Sequence, residues 1–489
     1  MTNSQHPPIR RTKIVATLGP SSDKPGVIDA MVKAGVDVVR LNFSHGSADD
    51  HRNRVEAVRA AAAKHNRTVA VLGDLQGPKI RIARFQNGSV ELDEGADFII
   101  DVSLDQNAGD EHHVGCDYAE LADDLVSGDV LLLDDGRVVF DVVKVEPPRI
   151  HCKVKVGGKL SNNKGINKQG GGLSASALTD KDKTDMKTAI ALEVDYLAVS
   201  FPRSGEDMRY ARDLLGDAAD RIGLVAKVER AEAVANDETL DDIIIASDAV
   251  MVARGDLGVE IGDAQLIGVQ KRMISRARTL DRLVITATQM MESMISNPLP
   301  TRAEVFDVAN AVLDGTDAVM CSAETAAGKY PVETIEAMDR CCLGAERERE
   351  AQESGHRMKD TFHRIDEAVA LSAMYAANHL EGVAAIGCLT ETGHTPLIAS
   401  RIRSGLPIIG LSSHPQTLRK MALFRGVIPL EFNAKDLPST EVNGKVVELL
   451  KQKSLAADGN FVILTRGDHL DAQSGTNAMK IVQVGNDIG

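Results

Sequence analysis

The sequence predicts an α/β protein: a (β/α)₈ TIM barrel with an inserted small β-barrel lid domain and a C-terminal α/β domain. Three observations carry this expectation. Apolar strand-like runs alternate with helical runs from Lys13 onward, a stretch of β character alone interrupts them after the third strand, and a second alternating array follows Glu346. Strands joined by helical crossovers form a parallel sheet, and eight of them close into a barrel.

The first strand is read at KIVATLG (13–19), with a helix from Val27 to Lys33; the second at VDVVRLNFS (36–44), with a helix from Asp49 to His65; the third at TVAVLGDL (68–75). Then the rhythm changes. From Arg84 to Gly172 runs such as DVLLLDD and RVVFDVVKV alternate with turn signals at Asp93-Glu94-Gly95, Ser127-Gly128, Asp135-Gly136 and Pro147-Pro148. The barrel is therefore expected in 1–83 and 173–345, with 84–172 inserted. The insert's exit, GGKLSNNKGINKQGGG, suits a lid on glycine hinges or a solvated linker.

The alternation resumes with a helix from Asp180 to Leu192, then YLAVSF, IGLVAKVE, DAVMVARGD, a helix from Ala264 to Leu280, RLVITATQ, a helix from Arg302 to Leu313, DAVMCSAET and a helix from Pro331. Residues 346–489 read as a separate doubly wound domain with strands at VAAIGCL, LPIIGLS, VIPLEF, NFVILT and MKIVQVG. After its first strand, Thr390-Glu391-Thr392-Gly393-His394-Thr395 enters a helix. Such a turn is either a plain N-cap or a phosphate site.

Composition excludes some partners. A net charge of −15, no tryptophan and 3% aromatic residues oppose binding to nucleic acid or an acidic membrane. No apolar run is long enough to cross a membrane, and MTNSQHPPIRR lacks the apolar core of a signal peptide. The six cysteines show no Cys-x-x-Cys spacing, so reduced core thiols in a cytoplasmic protein are expected.

A barrel enzyme places its chemistry at the carboxyl ends of its strands, and those ends carry charge here. Lys227 and Glu229 share one face of the fifth strand, and Asp256 follows the sixth. Two hard carboxylates suit Mg²⁺, with Mn²⁺ as a substitute, and leave its other positions to water or substrate phosphates. Taken alone, the trio reads sooner as a surface salt bridge between Lys227 and Glu229 with Asp256 capping a turn. The other ends repeat the pattern: Arg40, Asn42 and Ser44 at the second strand, Asp74, Lys79 and Arg81 at the third, Ser200 at the fourth, Thr288 at the seventh, Ser322 and Glu324 at the eighth. Convergence of this kind marks a site for an anionic substrate.

RLNFSHG, MVARGDLGVE, ATQMMESMI, TRAEVFDVANAVLDG and SAET are long ordered runs. In them the chain resembles the pyruvate kinase family, along nearly its whole length. The resemblance implies transfer of a phosphoryl group from phosphoenolpyruvate to ADP and protonation of the enolate to pyruvate. It implies Glu229 and Asp256 as Mg²⁺ ligands, Lys227 as the cation at the transferring group, and Arg40 as a phosphate anchor. Gly255 and Asp256 amides with Thr288 are implied as carboxylate binders, Ser200 as a substrate contact, and Ser322 with Thr288 near the proton path. Arg81 and Lys164, with Asn42, Phe43, Ser44 and His45, match nucleotide-side positions. A homotetramer is also implied.

The chain departs from the family's K⁺-dependent pattern, which carries a glutamate where Lys79 stands in Asp74-Leu75-Gln76-Gly77-Pro78-Lys79. Asn42, Ser44, Asp74 and Leu75 still outline a monovalent-cation pocket, and Lys79 is expected to supply the charge from the chain itself, so that K⁺ is not required. A solvated turn lysine is the plainer alternative. Forms that answer to fructose 1,6-bisphosphate carry lysine, arginine or tryptophan in loops where this chain has Glu391, His394 and GDHLDAQSGTN, which leaves another sugar phosphate or AMP as the candidate effector. Two other readings compete: a different Mg²⁺-dependent barrel, such as a mutase or aldolase, which needs no lid, and a silent binding module, which would have lost Lys227, Glu229, Asp256 or Thr288.

Overall fold

The computed structural model describes residues 9–352, 360–467 and 475–486. Eight parallel strands close into a barrel: Lys13–Thr17, Val38–Asn42, Ala70–Asp74, Tyr196–Ser200, Gly223–Val228, Ala249–Ala253, Leu283–Ala287 and Ala318–Cys321. Helices cover their outer face and packed side chains their inner one, which is why their sequences are almost continuously apolar. The second strand is shorter than its apolar run. It stops at Asn42, whose side-chain carbonyl accepts the Ser44 N–H at 3.0 Å, so Ser44 lies in a turn rather than on the strand's face.

The barrel's amino-terminal end is built by a repeated device. Asp37, Asp195, Asp248 and Asp317 each stand one residue before an even-numbered strand, and their carboxylates accept the N–H groups of Ile14, Val71, Leu224 and Val284 in the preceding odd-numbered strands. Each aspartate returns its own N–H to the same residue's carbonyl. Every second strand is thus clamped to the one before it at its foot.

Between the third and fourth barrel strands the chain forms a six-stranded sheet and a two-stranded sheet, with an apolar cluster of its own that runs from Ile80 to Ala175. Phe98 and Phe140 meet at its centre, 5.2 Å apart. The carboxyl-terminal part is a five-stranded sheet in which Val383–Leu389, Ile408–Ser412, Val427–Glu431 and Phe461–Arg466 run parallel and Ala478–Gln483 is antiparallel. It closes the floor of the barrel. Tyr196 donates its hydroxyl to the Lys420 carbonyl at 2.7 Å, and the Lys13 ammonium reaches the Val427 carbonyl at 2.7 Å.

Candidate active site

Strand register brings the charged ends level. Ser200 lies beside Lys227, Asp74 beside Asn42 and Ala198, and Arg40 beside Thr17. Five of the expected side chains therefore meet in one network at the barrel's carboxyl end. The Lys227 ammonium stands 2.7 Å from the Ser200 hydroxyl, 3.0 Å from Glu229 Oε1 and 3.3 Å from Asp74 Oδ1. Arg40 Nε holds the other oxygen of Asp74 at 2.5 Å.

These groups are buried, so their charges must be balanced. Burial would raise the Asp74 pKa, but Arg40 and Lys227 outweigh it and hold the carboxyl below its usual value. Burial would lower the Lys227 pKa, yet Asp74 and Glu229 outweigh it, and the ammonium titrates above its usual value. Glu229 goes the other way. Burial raises its pKa, Lys227 opposes, and Asp256 and Asp74 add repulsion. One of its oxygens also accepts the Phe201 N–H at 2.9 Å.

Asp256 lies in the first turn of a short helix, Arg254–Ile261, where the sequence suggested only a break after the strand. Its carboxylate is paired with Lys79 at 2.8 Å. Lys79 therefore meets the expected metal carboxylate rather than the pocket outlined by Asn42, Ser44, Asp74 and Leu75, in which Arg40 and Lys227 already neutralise Asp74. The neighbouring Gly255 N–H donates to the Thr288 hydroxyl at 3.0 Å, joining the sixth and seventh strand ends.

Other expected residues stand at the edges. Arg81 donates to the Asn163 carbonyl at 3.1 Å and Lys164 pairs with Asp134 at 2.7 Å, with Asn163, Lys164 and Asp134 in turns between strands of the insert. His45 is exposed in the turn after Phe43, whose N–H is held by the Asp74 carbonyl at 2.9 Å. Ser322 is fixed through its N–H, which donates to Glu324 at 2.6 Å. Sequence reading missed Glu260, four residues after Asp256 and on the same helical face, which accepts from Asn167 of the insert at 3.3 Å and from the Ala231 N–H at 2.8 Å.

No three His, Cys, Asp or Glu side chains gather as a metal cage among the described residues. Glu229 and Asp256 do suit a divalent ion. Their mutual repulsion is what such a charge relieves, and two carboxylates with open positions are the usual protein share of a Mg²⁺ site.

Models of two pyruvate kinase domains match this chain, the barrel domain over residues 9–335 and the alpha/beta domain over 367–482. The chain belongs to the pyruvate kinase family. It is 57% identical over 476 residues to pyruvate kinase II of Salmonella typhimurium, covering 97% of this chain and 99% of that protein, and 56% identical, with the same coverage, to the pyruvate kinase of Haemophilus influenzae. A crystal structure of a pyruvate kinase from Cryptosporidium parvum superposes with a TM-score of 0.89 at 33% identity, over 97% of this chain and 96% of that one. As a pyruvate kinase the chain is a phosphotransferase acting on phosphoenolpyruvate and ADP, and its family works with a divalent metal. No described helix is long and apolar enough to cross a membrane.

A cavity of about 130 Å³ lies in the carboxyl-terminal domain. Glu391, His394, Thr390, Ser412 and Arg466 line it. Most of the GDHLDAQSGTN loop singled out in the sequence, positions 468–474, lies outside the described residues.

Proposed function

We propose that this pyruvate kinase is Mg²⁺-dependent and K⁺-independent, with Glu229 and Asp256 holding the metal. The observation that carries the reading is the Lys227 ammonium, buried between Asp74, Glu229 and Ser200. Phosphoryl transfer is chiefly positioning plus stabilisation of spread negative charge, and a pre-oriented cation supplies that. Arg40, 2.5 Å from Asp74, presents a second cation to the phosphate. The Gly255 and Asp256 amides and the Thr288 hydroxyl take the substrate carboxylate, while Arg81, Lys164 and the Asn42 to His45 turn face the nucleotide. When bound, the metal neutralises charge between the two phosphorylated substrates. The insert closes over them and excludes water, which would otherwise capture the phosphoryl group. The enolate left behind takes a proton along the path beside Thr288 and Ser322.

Independence from K⁺ draws support from Lys79 as a tethered positive charge at Asp256, where the K⁺-dependent pattern has a carboxylate, and from Arg40 and Lys227, which balance Asp74 in the cation pocket itself. Exposed Leu299 and Phe306 are consistent with a homotetramer. The carboxyl-terminal cavity offers Arg466 to an anionic metabolite, but Glu391 disfavours a bisphosphate.

The test is pyruvate formation from phosphoenolpyruvate and ADP with Mg²⁺, run with K⁺ and with tetramethylammonium as the only monovalent cation. Equal rates are expected, and Lys79→Glu is expected to need K⁺. Activity of the unaltered enzyme only with K⁺ would remove the Lys79 assignment and leave the reaction standing.

A further inference from the structure

Arg254 opens the run that carries Gly255 and Asp256, yet no role in the reaction falls to it from the reading above. Its guanidinium, 10% exposed, crosses to the end of the seventh barrel strand. There Nε donates to the carbonyls of Ala287 at 3.1 Å and Thr288 at 3.3 Å, and Nη2 donates to Thr288 at 2.7 Å. The far side of the fork is anchored: Nη1 meets Asp307 at 2.7 Å and Gln270 at 3.5 Å, and Nη2 contacts the Met290 sulfur at 2.8 Å.

The backbone that Arg254 grips is strained. Thr288 and Gln289 have φ of 66° and 54°. Two successive side-chain-bearing residues in the left-handed region, one of them β-branched, are unfavourable and persist only where the surroundings enforce them. The Thr288 hydroxyl in turn is set on both sides, donating to the Ala287 carbonyl at 2.7 Å and accepting from the Gly255 N–H at 3.0 Å. Arg254 thus shares the Ala287 carbonyl with the very hydroxyl it orients.

We propose that Arg254 is a positioning residue for the reaction: it holds the left-handed turn at Thr288 so that the Thr288 hydroxyl and the Gly255 amide, bonded to each other here, stand side by side where a substrate carboxylate can take over their protons, and Asp307 fixes its fork. This rests on the assignment of Thr288 and Gly255 to the substrate carboxylate. A lysine could not replace the arginine, because one ammonium cannot span two carbonyls, a carboxylate and a thioether at once.

The experiment is a double-mutant cycle of Arg254→Lys and Thr288→Ala, with kcat and KM for phosphoenolpyruvate measured on each folded enzyme and melting temperature recorded alongside. Arg254→Lys is expected to lower kcat on the order of 10²-fold, the usual effect of a small misplacement, and to lower it little further once Thr288 is alanine. Asp307→Asn should give a smaller loss of the same kind, suppressed in the same way, and carries the cycle if the lysine variant does not fold. A loss that multiplies in full on the Thr288→Ala background, or wild-type turnover in Arg254→Lys, would overturn the proposal. Wild-type turnover in Thr288→Ala would instead sink the carboxylate assignment beneath it.

Discussion

Asp317, at the foot of the eighth barrel strand, is gripped by Arg401 of the carboxyl-terminal sheet domain, with Nη1 at 3.0 Å from Oδ2 and each side chain only 1% exposed. The same carboxylate accepts the Val284 N–H at 2.9 Å and the Arg425 N–H at 3.2 Å. One aspartate therefore clamps two barrel strands and pins a second domain beneath them.

Removing that charge should be costly. Asp317→Asn leaves Arg401 buried without its partner, for which about 3–5 kcal/mol of stability is expected to be lost. Denaturant unfolding measures it. A loss below about 1 kcal/mol would show that the pair is solvated in solution.

Glu260 makes stability depend on pH. Burial chiefly, with repulsion from Glu232, raises its pKa to about 7, while its bonds to Ala231 and Asn167 and the charge of Arg230 oppose this. A folded-state pKa above the unfolded value means that the folded protein binds the proton more tightly. Its stabilising contribution is full below the unfolded value near 4.5 and is lost as pH rises through about 7. Over that window roughly 3 kcal/mol is at stake. Melting temperatures of the unaltered protein and Glu260→Gln across pH 5 to 8 should diverge with this sign, and parallel profiles would refute it.

Lys227→Met should abolish most turnover. It takes away the cation at the transferring group and leaves Asp74 and Glu229 crowded and buried. A drop in kcat of at least 10²–10³-fold is expected. Steady-state pyruvate formation is the readout, and turnover within tenfold of the unaltered enzyme would remove Lys227 from the chemistry.

Gly77→Ala should damage the site from behind. Gly77 has φ of 69°, and an added Cβ would stand 2.6 Å from the Ser200 Cβ, the residue whose hydroxyl meets Lys227. Lower kcat together with a lower melting temperature is expected. Unchanged values of both would mean that the loop relaxes freely.

The barrel strands were legible because strands buried on both faces read as apolar runs, and their charged ends followed at once. The helix Arg254–Ile261 was not. Gly255 and Gly258 disfavour it, and contacts made elsewhere by Arg254 hold its start. The pairings Lys79 with Asp256 and Asn167 with Glu260 span 177 and 93 residues, so no local pattern announces them. Ser44 was placed on the strand by period alone, whereas the Asn42 side chain ends the strand first.

Val15, Tyr196, Met251 and Ile285 inside the barrel belong to the same apolar cluster as Met374, Ile386 and Phe424 of the carboxyl-terminal domain, while the insert keeps a cluster of its own. The units of cooperative unfolding then differ from the units seen along the chain. Barrel and carboxyl-terminal domain are expected to melt as one body, and a barrel expressed without its floor to expose its lower core and aggregate. The insert alone can open and reclose while everything beneath it stays folded, as amide hydrogen exchange resolved along the chain would register.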